Sequence, residues 1–438
     1  METNMKLTEE QEAILNGSQG ETMAKVMKTL VRYGELFGAE TMVPVTSRYN
    51  HLVTSFGLKA LTPVYELMDQ LIAAGAVSSQ EFSADPRPLD RHVPSSPLQD
   101  IVFKHFMYSK QDFYEDQLKK LGLMEEDAFT CTCYMDEVGN TPKPGDVLSW
   151  SESSAVVYAN SVLGARCNRN SGIIDLMGSI VGYVPYFGLL TDEGRKAQWI
   201  VEVRTERKPE AQLLGSAVGM KVMEDVPYIK GLGKWLGNTL DDNAKTYLKD
   251  FGAATASNGA VGLYHVEHLT PEAAEQGESL LVENPKRYII DDAELKRVYD
   301  SYPVIWKKKD AKPKLCFMGC PHMSLNQLMV WTRRVEKGLK KADRKKVQIP
   351  TVFTAAPAVI KKFQETPYAE RLKRTGVILS YICPLMYMNN PLSTSMPVIT
   401  SSNKLRTYTS AKYYTDAEIL EQITGCKLNY HGKGGSLQ

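Results

Sequence analysis

The sequence lacks an excess of charge of either sign. Its 438 residues contain 52 Lys and Arg against 51 Asp and Glu. Proteins dedicated to binding nucleic acid normally carry a basic excess, because phosphate groups dominate their affinity. The chain is therefore predicted to have no nucleic-acid partner. A basic run at 333–346 alternates with apolar residues at helical spacing, which indicates a solvated helix face.

The sequence also lacks a hydrophobic run that predicts a secretion signal or a membrane span. Residues 1–20 contain no apolar signal-peptide core. The most apolar long segment, 172–190, is interrupted by Asp175, Pro185 and several glycines, which suits a buried core better than a bilayer. We therefore predict a cytoplasmic protein without a membrane partner.

Cysteine is scarce and shows no Cys-X-X-Cys pairing. The seven cysteines of a chain in a reducing compartment are not expected to form a disulfide framework. They are predicted to be free thiols, as buried core residues, reactive groups or metal ligands.

What the sequence does contain is an alternation of short apolar strands and longer helical patterns. Residues 8–38 predict helices that begin at a capping box of Thr8 and Gln11 and are interrupted at Gly17. The strand candidates are 128–132, 198–203, 260–266, 314–319, 375–381 and 396–400. Such alternation predicts an α/β fold with largely parallel sheets, and the length allows two or three domains.

Three cysteines follow strand candidates directly. Cys320 comes after 314–319 and precedes a helix that begins near Ser324, and Cys131 and Cys383 end two other apolar runs. The carboxyl ends of parallel strands meet at one edge of a sheet, where ligands bind. Three thiolates would suit a soft metal or an iron–sulfur cluster, and zinc with His322 as fourth ligand is an alternative. Unreactive buried thiols remain the simplest interpretation of each cysteine.

A polar block at 139–172 surrounds another predicted helix. The groups that could bind an anion are Glu152, Ser153 and Ser154 before the helix and Arg166, Asn168 and Arg169 after it. Guanidinium groups bind carboxylates and phosphates in a bidentate manner, and helix N-termini attract anions. An ordinary capped surface helix is the alternative.

Two further polar positions are candidates. Ser402 and Lys404 lie in a predicted strand-to-helix loop, where the lysine could bind an anion or face solvent. His265 could act as an acid or base, or serve as a hydrogen-bonded core histidine.

Several long motifs resemble the aconitase X family in the same order along nearly the whole chain. They are WSESSAVVYANSVLGARCNRNSG, GLYHVEHLTPEA, CFMGCPHMSLNQL, SYICP and SSNKLRTY. The resemblance implies an aconitase-like α/β catalytic core of three sub-domains, approximately 1–125, 126–300 and 301–438. It also implies that the family's swivelling domain is absent from this sequence.

The resemblance assigns roles to particular residues. It implies an iron–sulfur cluster or mononuclear iron, held by Cys131, Cys320 and Cys383. Catalytic roles are expected for Ser153, Ser154, His265 and Lys404. Substrate-binding roles are expected for Ser47, Glu152, Asn160, Arg166, Asn168, Arg169 and Ser402.

Members of this family are dehydratases, so the resemblance implies a hydro-lyase that eliminates water from a small hydroxy acid. The expected function is the large subunit of a cis-3-hydroxy-L-proline dehydratase, with (R)-5-phosphomevalonate as the alternative substrate. A separate small subunit would carry the swivelling domain and its proton-abstracting serine. Alternatives of another class are a cluster-binding sensor and a zinc-stabilised protein without enzymatic activity.

Overall fold

The computed structural model describes residues 3–428 and contains parallel sheets covered by helices, so the predicted α/β class is confirmed. The helices are α1 Glu9–Leu15, α2 Glu21–Leu36, α3 Thr62–Ala73, α4 Pro97–Ile101, α5 Gln111–Leu121, α6 Ser153–Ser161, α7 Gly172–Val181, α8 Ala211–Val222, α9 Gly233–Leu236, α10 Asp242–Gly259, α11 Pro271–Gln276, α12 Asp292–Asp300, α13 Leu325–Lys341, α14 Pro357–Gln364, α15 Pro367–Arg374, α16 Pro384–Met388, α17 Asn403–Tyr408 and α18 Asp416–Thr424. The strands are β1 Met42–Pro44, β2 Asn50–Leu52, β3 Phe82–Ala84, β4 Tyr183–Pro185, β5 Ala197–Val203, β6 Pro227–Lys230, β7 His265–Val266, β8 Leu281–Ile290, β9 Leu315–Met318, β10 Thr351–Thr354, β11 Ile378–Ser380, β12 Val398–Thr400 and β13 Lys412–Tyr413.

Helix starts follow the predicted capping chemistry. The Thr8 side chain accepts from the backbone N–H of Gln11, whose side chain accepts in return from the backbone of Thr8. Ser324 and Gln327 make the same reciprocal pair at the start of α13. Each capping box satisfies two backbone donors that have no partner inside the helix. The chain leaves α1 at Asn16 and Gly17, which confirms the predicted interruption.

The C-terminal sheet has the strand order β11-β10-β9-β12-β13 and is parallel throughout. The strands predicted at 314–319, 375–381 and 396–400 are confirmed as β9, β11 and β12. Helices cover both faces of such a sheet, so its strands are almost wholly apolar. The carboxyl ends of β9 and β11 therefore point to the same edge, and Cys320 and Cys383 lie just beyond them.

The middle sheet has the order β7-β6-β5-β8 and is also parallel. Its covering helices α8 and α10 pack at close range, because a Cβ at Gly215 would lie 2.3 Å from the carbonyl oxygen of Phe251. Helix α10 also packs against α6 and α17. It therefore links the helix that begins at Ser153 with the helix that carries Lys404.

Two predicted strands are wrong over most of their length. In 128–132 only Phe129 makes a bridge, to Ala84, through the backbone bonds of its two neighbours. Beyond Thr130, whose side chain bonds His322 Nδ1 at 3.0 Å, this segment makes no further strand pairing. In 260–266 only the last two residues form a strand. The preceding residues connect α10 to β7, and Ala260 ends the helix with a φ of 72°.

The segment 126–193 contributes to two parts of the molecule. Helix α7 packs with the N-terminal core around Met27 and Leu71, and β4 pairs antiparallel with β1. Helix α6 packs instead with the middle core around Val201 and Phe251. The segment thus bridges the first two cores, which local apolar periodicity cannot reveal.

Within residues 3–428, no helix is both long and apolar enough to span a bilayer. The apolar segment at 172–190 instead contains α7 and β4. The last residues of the predicted C-terminal sub-domain, 429–438, lie outside the described part of the chain.

Candidate active site

A cavity of about 300 Å³ lies where N-terminal segments, the segment 131–169 and loops at the C-terminal sheet meet. Its lining includes Asp85 beyond β3, Cys131, Glu152 at the start of α6, Cys320 beyond β9 and Lys404 on α17. These residues are separated by up to 319 positions along the chain (85 to 404). The cavity is therefore a product of tertiary packing.

The three cysteines predicted to converge line this one cavity. Burial raises the pKa of each thiol, and the proximity of Cys320 raises the pKa values of Cys131 and Cys383 further. The Cys131 sulfur accepts a hydrogen bond from the backbone N–H of His322 at 3.4 Å. A metal would favour the thiolate forms that burial disfavours.

The surroundings of the thiols do not make His322 the fourth ligand of a zinc site. Among the described residues, His, Cys, Asp and Glu side chains form no group of three or more that could hold one metal ion. His322 is already engaged at both ring nitrogens, by Thr130 Oγ1 at 3.0 Å and by the carbonyl of Ile382 at 3.3 Å. Burial lowers the pKa of His322 to about 4, so its ring is neutral. The three thiols that line the cavity are soft donors of the kind that iron–sulfur clusters use, although in this arrangement they do not form a ready-made group for one ion.

A buried ion pair forms one wall of the cavity. Lys404 Nζ donates to Glu152 Oε1, and both side chains are about nine-tenths buried. The same carboxylate accepts from the Ser154 hydroxyl at 2.6 Å and from the Ser154 backbone N–H at 3.0 Å. Burial alone would raise the pKa of Glu152, but Lys404 lowers it to about 2. Burial would likewise lower the pKa of Lys404, and Glu152 with the neighbouring thiols raises it.

We expect Glu152→Gln to lower the free energy of unfolding by about 3 kcal/mol, because it leaves a buried ammonium without its counter-charge. The pair's contribution is present above pH 4.5, the ordinary pKa of Glu152, and is lost only as the pH falls through about 2. Urea unfolding at pH 7 measures the loss. Glu365→Gln is the matched control: it breaks an exposed pair with Lys362 and should cost under about 0.5 kcal/mol. Equal losses in the two variants would contradict the expectation.

Arg169 is the other cation at the cavity. Its side chain lies against Gly262, where a Cβ would come 3.2 Å from Cδ, so glycine leaves room for the arginine. Its Nη1 is buried and has no hydrogen-bond partner. Burial lowers the pKa of Arg169, but from so high a starting value that the guanidinium stays charged. A buried guanidinium nitrogen without a hydrogen-bond partner is costly, which indicates a site for an anionic ligand.

Three other residues expected to bind substrate, Arg166, Asn168 and Asn160, lie outside the cavity lining. Arg166 binds Asp192 at 2.5 Å and the carbonyl of Leu190 at 2.7 Å, outside the cavity lining. Asn168 uses its amide to hold the segment 187–189. Asn160 is fully engaged with backbone groups and Arg195. None of the three residues contacts the cavity in this arrangement, and their expected substrate-binding roles stay a prediction.

Three more predicted site residues are also absent from the cavity lining. His265 is buried and bonds the carbonyl of Arg195 through Nε2 at 2.9 Å, which is the core role left open above. Ser402 caps α17 and donates to the carbonyl of Cys320, so it positions the cysteine loop. Ser47 is buried without a hydroxyl partner. Ser153 does line the cavity.

The sequence analysis missed Asp85. This carboxyl directly follows β3, is buried, and lines the cavity with an Oδ1 that has no hydrogen-bond partner. Burial raises its pKa well above the ordinary value, and the nearby Glu152 carboxylate adds to the effect. His51 approaches it at 3.6 Å. The polar segment SSQEFSA before Asp85 and the prolines after it give no strand signal, so the sequence offered no clear indication of this carboxyl.

Comparison with known proteins identifies the family. A model described as aconitase X first domain matches residues 4–193, and one described as aconitase X second domain matches residues 197–300. A crystal structure of Thermococcus kodakaraensis aconitase X, holo-form, superimposes with a TM-score of 0.77 at 28% identity. It covers 97% of this chain and 100% of that one, which confirms the aconitase-like fold.

The curated relatives are dehydratases. The phosphomevalonate dehydratase large subunit of Thermococcus kodakarensis is 33% identical over 86% of this chain and 89% of its own length. That of Methanocaldococcus jannaschii is 30% identical over 74% and 77%, respectively. The cis-3-hydroxy-L-proline dehydratase of Hypocrea jecorina is 27% identical over 92% of this chain and 65% of its own length. The chain belongs to the aconitase X family and is a hydro-lyase of its dehydratase large-subunit type.

Proposed function

We propose that this chain is the large subunit of an iron-dependent dehydratase acting on (R)-5-phosphomevalonate. The observation that carries the proposal is the guanidinium of Arg169 at the cavity, whose buried Nη1 has no hydrogen-bond partner. The other cation there, Lys404, is neutralised by Glu152. The cavity is thus complementary to an anion, and relatives named phosphomevalonate dehydratase are the more similar ones at 33% and 30% identity against 27%.

This order reverses the expectation from the sequence, which put cis-3-hydroxy-L-proline first. Hydroxyproline carries an ammonium group besides its carboxylate, and that group requires an anionic partner when desolvated. Glu152 is already paired, and the raised pKa of Asp85 favours its neutral form. Phosphomevalonate has no cationic group and meets no such cost. Hydroxyproline remains the second candidate because relatives with that activity span nearly the whole chain.

The thiols of Cys131, Cys320 and Cys383 would hold the iron–sulfur cluster or iron ion. When bound, such a centre acts as a Lewis acid that polarises the leaving hydroxyl group. Measuring iron and acid-labile sulfide in anaerobically purified protein distinguishes a cluster from a single ion. Zinc without iron would favour the structural alternative and contradict the proposal.

Side chains of this chain bind the substrate and donate one proton to the leaving hydroxyl. Arg169 and the Ser153 hydroxyl at the start of α6 bind the acid group of the substrate. Asp85 holds a proton on its buried carboxyl and gives it to the leaving hydroxyl, which departs as water when the carbon–oxygen bond breaks. One wall of the cavity is held in place by the hydrogen-bonded group of Glu152, Lys404 and Ser154. The carbon–hydrogen bond on the neighbouring carbon breaks to complete the double bond, and its proton goes to a base.

That base is supplied by a separate small subunit. Among the cavity-lining groups of residues 3–428, Lys404 is charged and paired, His322 is bonded at both nitrogens, and Asp85 favours its protonated form. Curated relatives carry the name large subunit, which supports a second chain. Anaerobic assays of the reconstituted complex with each substrate test the proposal. We expect turnover of phosphomevalonate, none by the large subunit alone, and contradiction if only hydroxyproline is dehydrated.

We expect Asp85→Asn to lower kcat/KM about 100-fold, because the amide cannot donate the carboxyl proton. In the unmodified enzyme, kcat/KM should fall as the pH rises through the raised pKa of Asp85, and this limb should vanish in the variant. The variant should also melt at a higher temperature at pH 7, because an amide does not carry the cost of burying an ionisable carboxyl that raises the pKa of Asp85. A variant with unchanged pH dependence and unchanged stability would contradict the role. The pH profile and thermal melts are the measurements.

A further inference from the structure

A cluster of exposed aromatic side chains lies at the end of α2. The rings of Tyr33 and Phe37 are 4.9 Å apart, and Phe37 stacks on Phe187 at 5.1 Å with an interplanar angle of 17°. Leu36 and Tyr186 adjoin Phe37 and Phe187 in sequence; Leu36 and Phe37 are 83% and 57% exposed, whereas Tyr33 and Phe187 are half-buried. We call these five residues the aromatic patch. Contiguous exposed apolar surface of this kind marks interaction sites, and aromatic residues dominate binding energy at interfaces.

The aromatic patch is tied to the active site through Asn170. The Tyr33 hydroxyl donates to Asn170 Oδ1 at 2.9 Å. Asn170 lines a second cavity of about 380 Å³, which shares Ser151, Ser153 and Arg169 with the cavity that contains the cysteines. The patch therefore stands beside the approach to the reacting groups.

A second connection fixes the patch relative to Arg169. Asn168 donates to the carbonyl of Phe187 at 3.0 Å and accepts from the backbone N–H of Leu189 at 2.8 Å. Asn168 precedes Arg169 directly, and a Cβ at Gly262 would touch both Leu189 and Arg169, at 2.7 and 3.2 Å. The aromatic surface and the anion-binding guanidinium are thus parts of one packed unit. A partner that docks on the patch therefore contacts a surface whose position relative to the cavity is fixed.

We propose that the aromatic patch is a docking surface for the small subunit. The inference rests on the proposed function, which requires a second chain to bring a base to this cavity. That chain has to contact the molecule beside the approach to the cavity, where the aromatic patch offers the exposed apolar area. The complementary surface on the small subunit presents aliphatic or small side chains that pack flat against the rings of Phe37 and Phe187.

Binding of the separately prepared cognate small subunit to the full large subunit, measured by calorimetry, tests the docking surface. Leu36→Ser and Phe37→Ser should each raise Kd at least about tenfold while the variants melt as the unmodified chain does. Phe106→Ser is the matched control, an aromatic side chain that is 62% exposed on a different segment; its Kd should stay within about twofold. Unchanged affinity in both patch variants, or an equal loss in the control, overturns the inference.

Hydrogen exchange of the unmodified complex gives a readout that does not depend on any substitution. The small subunit should slow exchange over 30–39 and 183–190, and protection confined to other segments overturns the inference. Dimers of the large subunit alone that Leu36→Ser dissociates would assign the patch to a second copy of this chain and overturn it as well. A complex that forms through the patch but dehydrates neither substrate leaves the docking surface intact and refutes the proposed function alone.

Discussion

Replacing Cys131, Cys320 or Cys383 with serine is expected to remove iron from the protein and to lower turnover of the reconstituted complex at least about 1,000-fold. The three thiols line one cavity and are the soft donors available to a metal there. A serine hydroxyl is a much weaker ligand for iron than a thiolate. Iron content and visible absorption of anaerobically purified variants measure the effect independently of activity.

Cys167→Ser is the matched control for these three variants. Cys167 is also buried, but its sulfur donates to the carbonyl groups of Trp150 and Asn168 at 3.5 and 3.3 Å, contacts that a hydroxyl can replace. We expect normal iron content in this variant. Retention of iron by any of the three cavity variants, or its loss from the control, would exclude the proposed ligand set.

Arg169→Ala is expected to lower kcat/KM for phosphomevalonate about 100- to 1,000-fold, whereas Arg166→Ala should leave it within about twofold. Removing a preorganised donor to a charged group costs about 3–4 kcal/mol in a desolvated site. Arg166 is already bonded to Asp192 and Leu190 and makes no contact with the cavity. Steady-state kinetics of the two variants, with the small subunit in excess, measure the difference.

The comparison of the Arg169→Ala and Arg166→Ala variants is informative because both arginines lie in one polar block of the sequence. Similar losses in the two variants would mean that the cavity geometry does not determine substrate binding. Arg169→Lys adds a test of bidentate recognition: it keeps the charge, loses the planar fork, and is expected to recover only part of the activity.

Much of the fold follows from local sequence patterns. The capping boxes at Thr8 and Ser324 were identified from residue types three positions apart, since the bonds that they form are local. The apolar runs of β5, β9, β11 and β12 were identified because buried parallel strands are nearly continuous in apolar residues. Strand β10 was missed, although it lies next to β9, and β8 was missed because it is largely exposed.

The candidate site was only partly predictable. Cys320 and Cys383 lie beyond two parallel strands of one sheet, as the strand-end argument predicts, since parallel strands bring their carboxyl ends to a common edge. Cys131 lines the same cavity without a strand before it, so its position was not predictable in this way. Asp85 was missed because its burial depends on contacts with elements far along the chain. His265 and Asn160 have side chains suited to catalysis, but these side chains form hydrogen bonds with backbone groups.

The sequence by itself determined the α/β class, the helix starts, the strand-end cysteines and, through its long motifs, the aconitase X family. Each of these depends on the order of neighbouring residues. Only the tertiary structure decided that Arg169 and not Arg166 faces the cavity, that Lys404 is neutralised by Glu152 across 252 positions, and that Asp85 is desolvated. Charge pairing and burial depend on distances in space, and chain separation gives no measure of those distances.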